Sequence, residues 1–193
     1  MSDPLRTYTR EEEETLALNL KRVSEQVHRG TLRDSEVNLT LLCMLHEHLF
    51  QGVRSHAGRV RRRDWGTEHL IFGPNRSVHR DKVVAELEQV FETLKRSVAS
   101  FDANPEHPQY EEQAFHIAVW AHAQVIRIHP FEDGNGRSTR MLMNWLLVRL
   151  GLHPVALDAV KIEYAMCLNE YFNTRDIRLL MDLCLRMYRS QDS

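Results

Sequence analysis

The chain has 193 residues, with 25 lysines and arginines against 27 aspartates and glutamates, a net charge of −2 when histidine is neutral. Apolar residues at 42% and charged residues at 27% suit a folded domain rather than a disordered chain, and a chain of this length buries roughly 70% of its unfolded surface without a disulfide or metal staple. The charge balance argues against a basic nucleic-acid binder, and no apolar run approaches the ~18 residues of a membrane span.

Residues Met1 to Arg10 lack the apolar core of a secretory leader. Cys43, Cys167 and Cys184 lie far apart in apolar stretches, as reduced core thiols do, so the expected compartment is cytoplasmic, with export by a specialised route left open. In chain order, Leu16, Leu20, Val23 and Val27 recur at helical spacing behind the acidic run Glu11 to Glu14, and Gly30 ends that helix. Asp34 or Ser35 is expected to cap a second helix carrying Leu39, Leu42, Met44, Leu45 and Leu49. From about Gly52 to Val78 glycines break the pattern. His69-Leu70-Ile71-Phe72 is β-prone and Gly73-Pro74-Asn75 is a turn, which predicts a small hairpin. Val83, Leu87, Val90, Phe91, Leu94 and Val98 predict a third helix. A fourth, from about Glu111 to Arg127, stops at His129-Pro130 because a residue before proline avoids the helical region. A fifth begins near Gly136 and carries Met141, Leu142, Trp145, Leu146 and Leu150; two more are expected over Asp158 to Tyr171 and Thr174 to Arg189. The fold class expected is all-α with a small β-hairpin flap.

The stretch His129-Pro130-Phe131-Glu132-Asp133-Gly134-Asn135-Gly136-Arg137-Ser138-Thr139-Arg140 joins two apolar helices and concentrates chemistry. Gly134 and Gly136 permit positive φ and close approach of a ligand. Successive amides in such a loop form an anion nest at the positive end of the following helix. Arg137 and Arg140 stand one turn apart and face the same way, a pair of guanidinium forks suited to a polyphosphate. Asp133 offers an oxygen ligand beside that anion, as Mg²⁺ on substrate phosphates requires. His129 exchanges protons near neutral pH and suits activation of a hydroxyl. Phe131 is expected to bury its ring and fix the loop. Any one of these residues alone reads as ordinary turn or surface chemistry; their convergence in one short stretch does not.

This stretch resembles the signature of the Fic family, His-x-Phe-x-(Asp/Glu)-Gly-Asn-Gly-Arg-x-x-Arg, with every specified position filled. Weaker likeness extends to Leu45-His46-Glu47-His48-Leu49-Phe50, to Ala57-Gly58-Arg59, and to the flap region around Leu70-Ile71-Phe72-Gly73. The resemblance implies a mainly α-helical Fic fold over residues 31–193, with residues 1–30 as a helical extension packed on it. It implies a protein adenylyltransferase that moves AMP from ATP to a Ser, Thr or Tyr hydroxyl and releases pyrophosphate. His129 would be the general base and Asp133 the Mg²⁺ ligand. Asn135 and the amides around Gly134 and Gly136 would cradle the phosphates, Arg137 the β/γ end and Arg140 the γ-phosphate. The target would dock on the flap near Leu70 to Gly73 by adding a strand. The same fold in relatives supports UMP, phosphocholine or phosphate transfer, or removal of AMP; a nucleotide-sensing module without turnover is the rival of another class.

Many family members are inhibited by a helix with a (Ser/Thr)-x-x-x-Glu-(Gly/Asn) motif whose glutamate pairs with the second arginine, here Arg140. The sequence holds no full match. Thr7 to Glu11 and Thr9 to Glu13 have the spacing, but Glu12 and Glu14 follow, and the segment reads as an acidic helix start. A separate antitoxin-like partner is therefore expected. Arg59, Arg61, Arg62 and Arg63 read as a solvated basic face. His46-Glu47-His48 lacks the spacing of a helical zinc site. Trp65, Trp120 and Trp145 read as core or flap-base residues.

Overall fold

The computed structural model describes residues 7–62, 64, 66–157 and 160–190. Among them are seven α-helices and one two-stranded hairpin, as the sequence predicts: α1 (Arg10–His28), α2 (Leu39–Phe50), β1 (Ile71–Phe72), β2 (Asn75–Arg76), α3 (Val83–Ala103), α4 (Tyr110–Ile128), α5 (Asn135–Arg149), α6 (Lys161–Thr174) and α7 (Arg178–Arg189). A 3-10 turn, Arg80–Lys82, leads into α3.

Helix α4 is the centre. Ala114, Ala118, Ala121 and Ala123 alternate round it with Phe115, Val119, Val125, Ile126 and Ile128, all buried. The small residues let α3, α5, α6 and α7 approach from different sides. A helix buried on most of its circumference is held by its neighbours rather than by its own propensity. Helix α1 crosses onto α2 and α5, with Leu16, Val23 and Val27 inward. Its start is the acidic one expected: Thr9 caps it by accepting from Glu12 N–H, the Glu12 side chain accepts from Thr9 N–H, and Glu11 to Glu13 occupy the first turn.

Three expectations shift. The cap of α2 is Asn38, which accepts from Leu41 N–H at 3.1 Å, not Asp34 or Ser35; those lie in a turn that carries the chain round from α1. The last helix starts at Arg178 rather than Thr174, because Arg175 takes a left-handed conformation and breaks the run. Gly136 is helical and only Gly134 has positive φ, so one glycine of the loop, not two, supplies the bend. Arg63, Trp65 and Asp158 lie outside the described residues. Trp145 is core, 2% exposed, and donates its indole N–H to Leu32 O at 2.7 Å, whereas Trp120 is half-buried. The three cysteines carry free thiols. No helix among the described residues is long and apolar enough to cross a membrane.

Candidate active site

The loop from His129 to Gly134 leaves the C-terminus of α4 and enters the N-terminus of α5. His129 closes α4 in the left-handed region (φ 56°, ψ 60°), its N–H bonded to Val125 O at 3.0 Å. For a residue with a Cβ this conformation costs roughly 1–2 kcal/mol, so the surroundings must impose it. Arg61 does so. Its Nε donates to His129 O at 2.8 Å, one terminal nitrogen donates to Val78 O and Ser77 Oγ at 3.0 and 3.1 Å, and its backbone N–H donates to Pro130 O at 2.7 Å. Arg61 is 1% exposed, and burial lowers its pKa to about 10, which still leaves it a cation at neutral pH. The expected solvated basic face is thus corrected at this residue: Arg59 and Arg62 are exposed, but Arg61 turns inward to satisfy the orphan carbonyls at the negative end of α4.

The His129 ring is fixed on both sides. Nδ1 lies 3.3 Å from Ile126 O, and since a carbonyl only accepts, Nδ1 carries the proton and Nε2 keeps its lone pair. Phe72 of the hairpin stacks on the ring, centroids 3.9 Å apart and planes 6° from parallel. Burial pushes the imidazole pKa down to about 4, with Arg61 adding to the effect, so the ring is neutral at pH 7.

The middle of the loop is anchored from below. Phe131 is fully buried, as expected, and stacks on His46 at 3.8 Å. His46, itself fully buried, accepts from Gly58 N–H at Nδ1 (2.8 Å) and turns Nε2–H to Asp133 O (3.1 Å). Asn135 is 3% exposed, and its amide spans Phe131 N–H and Phe131 O, both at 2.8 Å. Its side chain therefore shapes the loop from the inside. Gly134 has φ +73°, and a Cβ there would fall 2.0 Å from Phe50 Cζ, so both conformation and space demand glycine.

The rim is charged. Helix α5 makes its first internal bond from Ser138 N–H to Gly134 O, which leaves the N–H groups of residues 135–137 pointing out of the helix start. Asp133 stands beside them, its Oδ1 accepting from Gly134 N–H at 2.6 Å. Its Oδ2 accepts from the Tyr8 hydroxyl and faces Arg54 at 3.4 Å. Burial pulls the Asp133 pKa up, but the Tyr8 bond, Arg137, Gly134 N–H and Arg54 together outweigh it and hold the carboxyl below its ordinary range. Arg137 donates to the Tyr8 oxygen at 2.7 Å, lies 3.6 Å from Asp133 Oδ1 and rests over the Phe50 ring. Tyr8 thus sits between the carboxylate and the guanidinium, its ring 4.2 Å beneath Arg54. Arg140 lies over the Tyr164 ring, 5.7 Å from its centre, and lines, with Arg137, Leu20, Ser24 and His28, a cleft of about 170 Å³.

The structure brings all seven residues singled out from the sequence to one loop and one helix start: His129 at one end, Asp133, Gly134, Asn135, Gly136 and Arg137 at the other, and Arg140 a turn further on. An imidazole with a free lone pair beside an anion-accepting helix terminus can take a proton from a nucleophile while a phosphate is held next to it. Sequence reasoning missed Arg61, His46 and Tyr8. The first stood in a charge run, and the second in a stretch weighed as a failed metal motif and as part of the family likeness, with no role for its ring. Tyr8 lies far from the loop in sequence, and nothing local marks it.

Comparison with known proteins follows the same lines. The Fic/DOC family model matches residues 36–147. Among curated proteins the chain is 29% identical over 168 residues to a protein adenylyltransferase Fic of Drosophila grimshawi, covering 87% of this chain and 32% of that one. It is 38% identical over 69 residues to a uridine 5'-monophosphate transferase of Xanthomonas campestris, covering 33% and 13%. Residues 134–508 of Fic-1 from C. elegans superpose with a TM-score of 0.73 at 21% identity, over 97% of this chain and 52% of that one. BepC of Bartonella tribocorum, solved with bound AMPPNP, gives 0.69 at 19%, over 92% and 86%. The chain spans about a third of the length of the curated adenylyltransferase it matches over most of its own.

Proposed function

Because the chain belongs to the Fic/DOC family, we propose that it is a nucleotidyltransferase that moves AMP from ATP onto a Ser, Thr or Tyr hydroxyl of a target protein. The observation that carries the reading is the neutral His129 imidazole, with Nε2 unprotonated, at one end of a loop whose other end is the N-terminus of α5, where the N–H groups of residues 135–137 make no bond within the helix.

In this reading the target hydroxyl gives its proton to His129 Nε2 as its oxygen attacks the α-phosphorus. The new O–P bond forms opposite the breaking bond, and pyrophosphate leaves. The N–H groups at the start of α5, with Arg137 and Arg140, hold the β- and γ-phosphates and take up the charge that develops there. Asn135 serves by keeping the loop open in the shape those phosphates need. Arg61 and His46 act as positioning residues for His129 and Asp133. Asp133 fits a Mg²⁺ ion: it is a single half-buried carboxylate with a lowered pKa beside the phosphate site, and Mg²⁺ on a nucleotide takes most of its ligands from phosphate and water. The ion would neutralise phosphate charge there. Tyr8 must first release the carboxylate.

The flap supplies the second substrate. Ile71 is 72% exposed on β1, and the strand pair is only two residues long, so an extended target segment along Leu70 to Gly73 would lengthen it and bring a hydroxyl to His129. Among the described residues no glutamate lines the cleft beside Arg140. Ser24 and His28 of α1 line the Arg140 cleft with the Ser-x-x-x-Glu separation, but a histidine stands where the glutamate would, so a separate inhibitor protein is the fitting control.

The test is transfer of label from the α-phosphate of each of four nucleoside triphosphates, since the Xanthomonas relative is named a UMP transferase. Labelling from ATP, lost in His129→Ala while calorimetric ATP binding persists, is the expected result. Labelling that survives His129→Ala removes the base assignment, and binding without labelling by any nucleotide leaves the sensor reading in its place.

A further inference from the structure

At the base of the flap, Glu68, His69 and His79 bring one ligand atom each to within 4.8 Å of the others, the one such grouping of three His, Cys, Asp or Glu residues among the described residues. We propose that these three side chains bind a zinc-type divalent transition ion that ties the two arms of the hairpin together.

The donor set comes first. Two imidazoles and a carboxylate suit zinc and its neighbours; a hard ion such as Mg²⁺ prefers an all-oxygen set. Geometry comes next. His79 Nε2 lies 3.9 Å from Glu68 Oε2. Ligand atoms on a tetrahedral ion with bonds of about 2.1 Å stand about 3.4 Å apart, so that pair needs to close by only about half an ångström. Glu68 is exposed and its side chain can swing to do so.

The surroundings of both rings match what a ligating histidine needs. His69 Nδ1 lies 2.8 Å from Ser77 O, an acceptor only, so Nδ1 carries the proton and Nε2 offers its lone pair. His79 Nδ1 lies 3.2 Å from Asp81 N and 3.8 Å from the Asp81 carboxylate. Moving its proton from Nε2 to Nδ1 exchanges the long bond from the amide for a carboxylate partner and frees Nε2 for the ion. The backbone already holds the arms in place: Arg80 N–H donates to Glu68 O at 2.8 Å and Ser77 N–H to Leu70 O at 2.9 Å. Three protein ligands leave the fourth position to water.

One arm of this hairpin ends in Phe72, the ring stacked on His129. An ion at the base would therefore stiffen the element that covers His129, at a place the chemistry itself does not touch.

The test is titration of Zn²⁺ into the chelator-treated full chain by calorimetry, with Co²⁺ as a spectroscopic probe. The expected result is one equivalent bound, visible d–d bands from Co²⁺ and no thiolate charge-transfer band. His79→Ala should abolish this site and Glu68→Gln should weaken it at least tenfold, both with unchanged far-ultraviolet circular dichroism. Absence of zinc binding overturns the proposal. So does binding that both variants leave intact, or a Co²⁺ spectrum showing cysteine ligation. None of these readouts depends on nucleotide transfer, so failure here and failure of the proposed activity are separable.

Discussion

Replacing Tyr8 with phenylalanine removes one hydroxyl and keeps the ring that lies 4.2 Å from the Arg54 guanidinium carbon. That hydroxyl bonds two charged groups at once, donating to Asp133 and accepting from Arg137. A hydrogen bond to a charged group is worth about 1.5–3 kcal/mol net. Both partners keep part of their side chains in solvent, so we take about 2 kcal/mol for the pair together. This weakens the closed arrangement, with Tyr8 in place, by roughly 30-fold against the open one. Tyr8 occupies the groups that a metal-bound triphosphate would need, so apparent affinity scales with the fraction open. ATP with Mg²⁺ should therefore bind Tyr8→Phe about 5- to 30-fold more tightly than the parent. Calorimetry on a His129→Ala background measures this without turnover. The melting temperature of the free protein should fall, while the nucleotide-bound forms converge. Unchanged affinity, or a loss showing that Tyr8 helps to grip the nucleotide, would refute the reasoning.

Arg61→Met should cost about 2–4 kcal/mol in a denaturant melt, because it strips buried carbonyls of their donor. It should lower kcat roughly 10- to 100-fold with little change in KM for ATP, and Arg61→Lys should recover only part of this because an ammonium cannot span the same acceptors. An equal effect on KM would mean that Arg61 does not act through His129. His28→Glu places a carboxylate in the cleft lined by Arg140 and should weaken ATP binding about tenfold, whereas His28→Gln should not; equal affinities would show that the end of α1 does not reach the nucleotide. Stability should fall with acid. Burial lowers His46 to about 4, His129 to about 4 and His122 to about 3, so each binds protons more readily in the unfolded chain, and the stability they confer is full above about pH 6.5 and lost as pH falls towards 4. For the fully buried His46 this is about 2 kcal/mol between pH 7 and 5. Denaturant midpoints across that range check it, and a flat profile would contradict the burial argument.

What could be read from the sequence was whatever repeats locally. Helical periods at Val83 to Val98 and Phe115 to Ile126, the turn at Gly73-Pro74, the proline after His129 and the dense loop motif each act within a few residues, and each lands where it should. What could not be read depends on partners far along the chain. Arg61 looks like a surface charge until the end of α4 is brought beside it. His46 looks like part of a failed metal motif until the loop carbonyl of Asp133 meets its ring. Asn38 rather than Asp34 caps α2 because the path out of α1, and not the cap chemistry, decides where the helix can begin.

The parallel stack of Phe72 on His129 would matter to an enzyme with the proposed activity. Any site that activates an alcohol against a phosphoric anhydride also risks activating water, and would squander the donor whenever no target is bound. A hydrophobic cover lying flat on the imidazole screens one of its faces from solvent during those idle intervals. Because the cover belongs to the hairpin on which the target would dock, waiting and reacting would be governed by the same few residues, and loss of Phe72 would show first as futile consumption of the nucleotide.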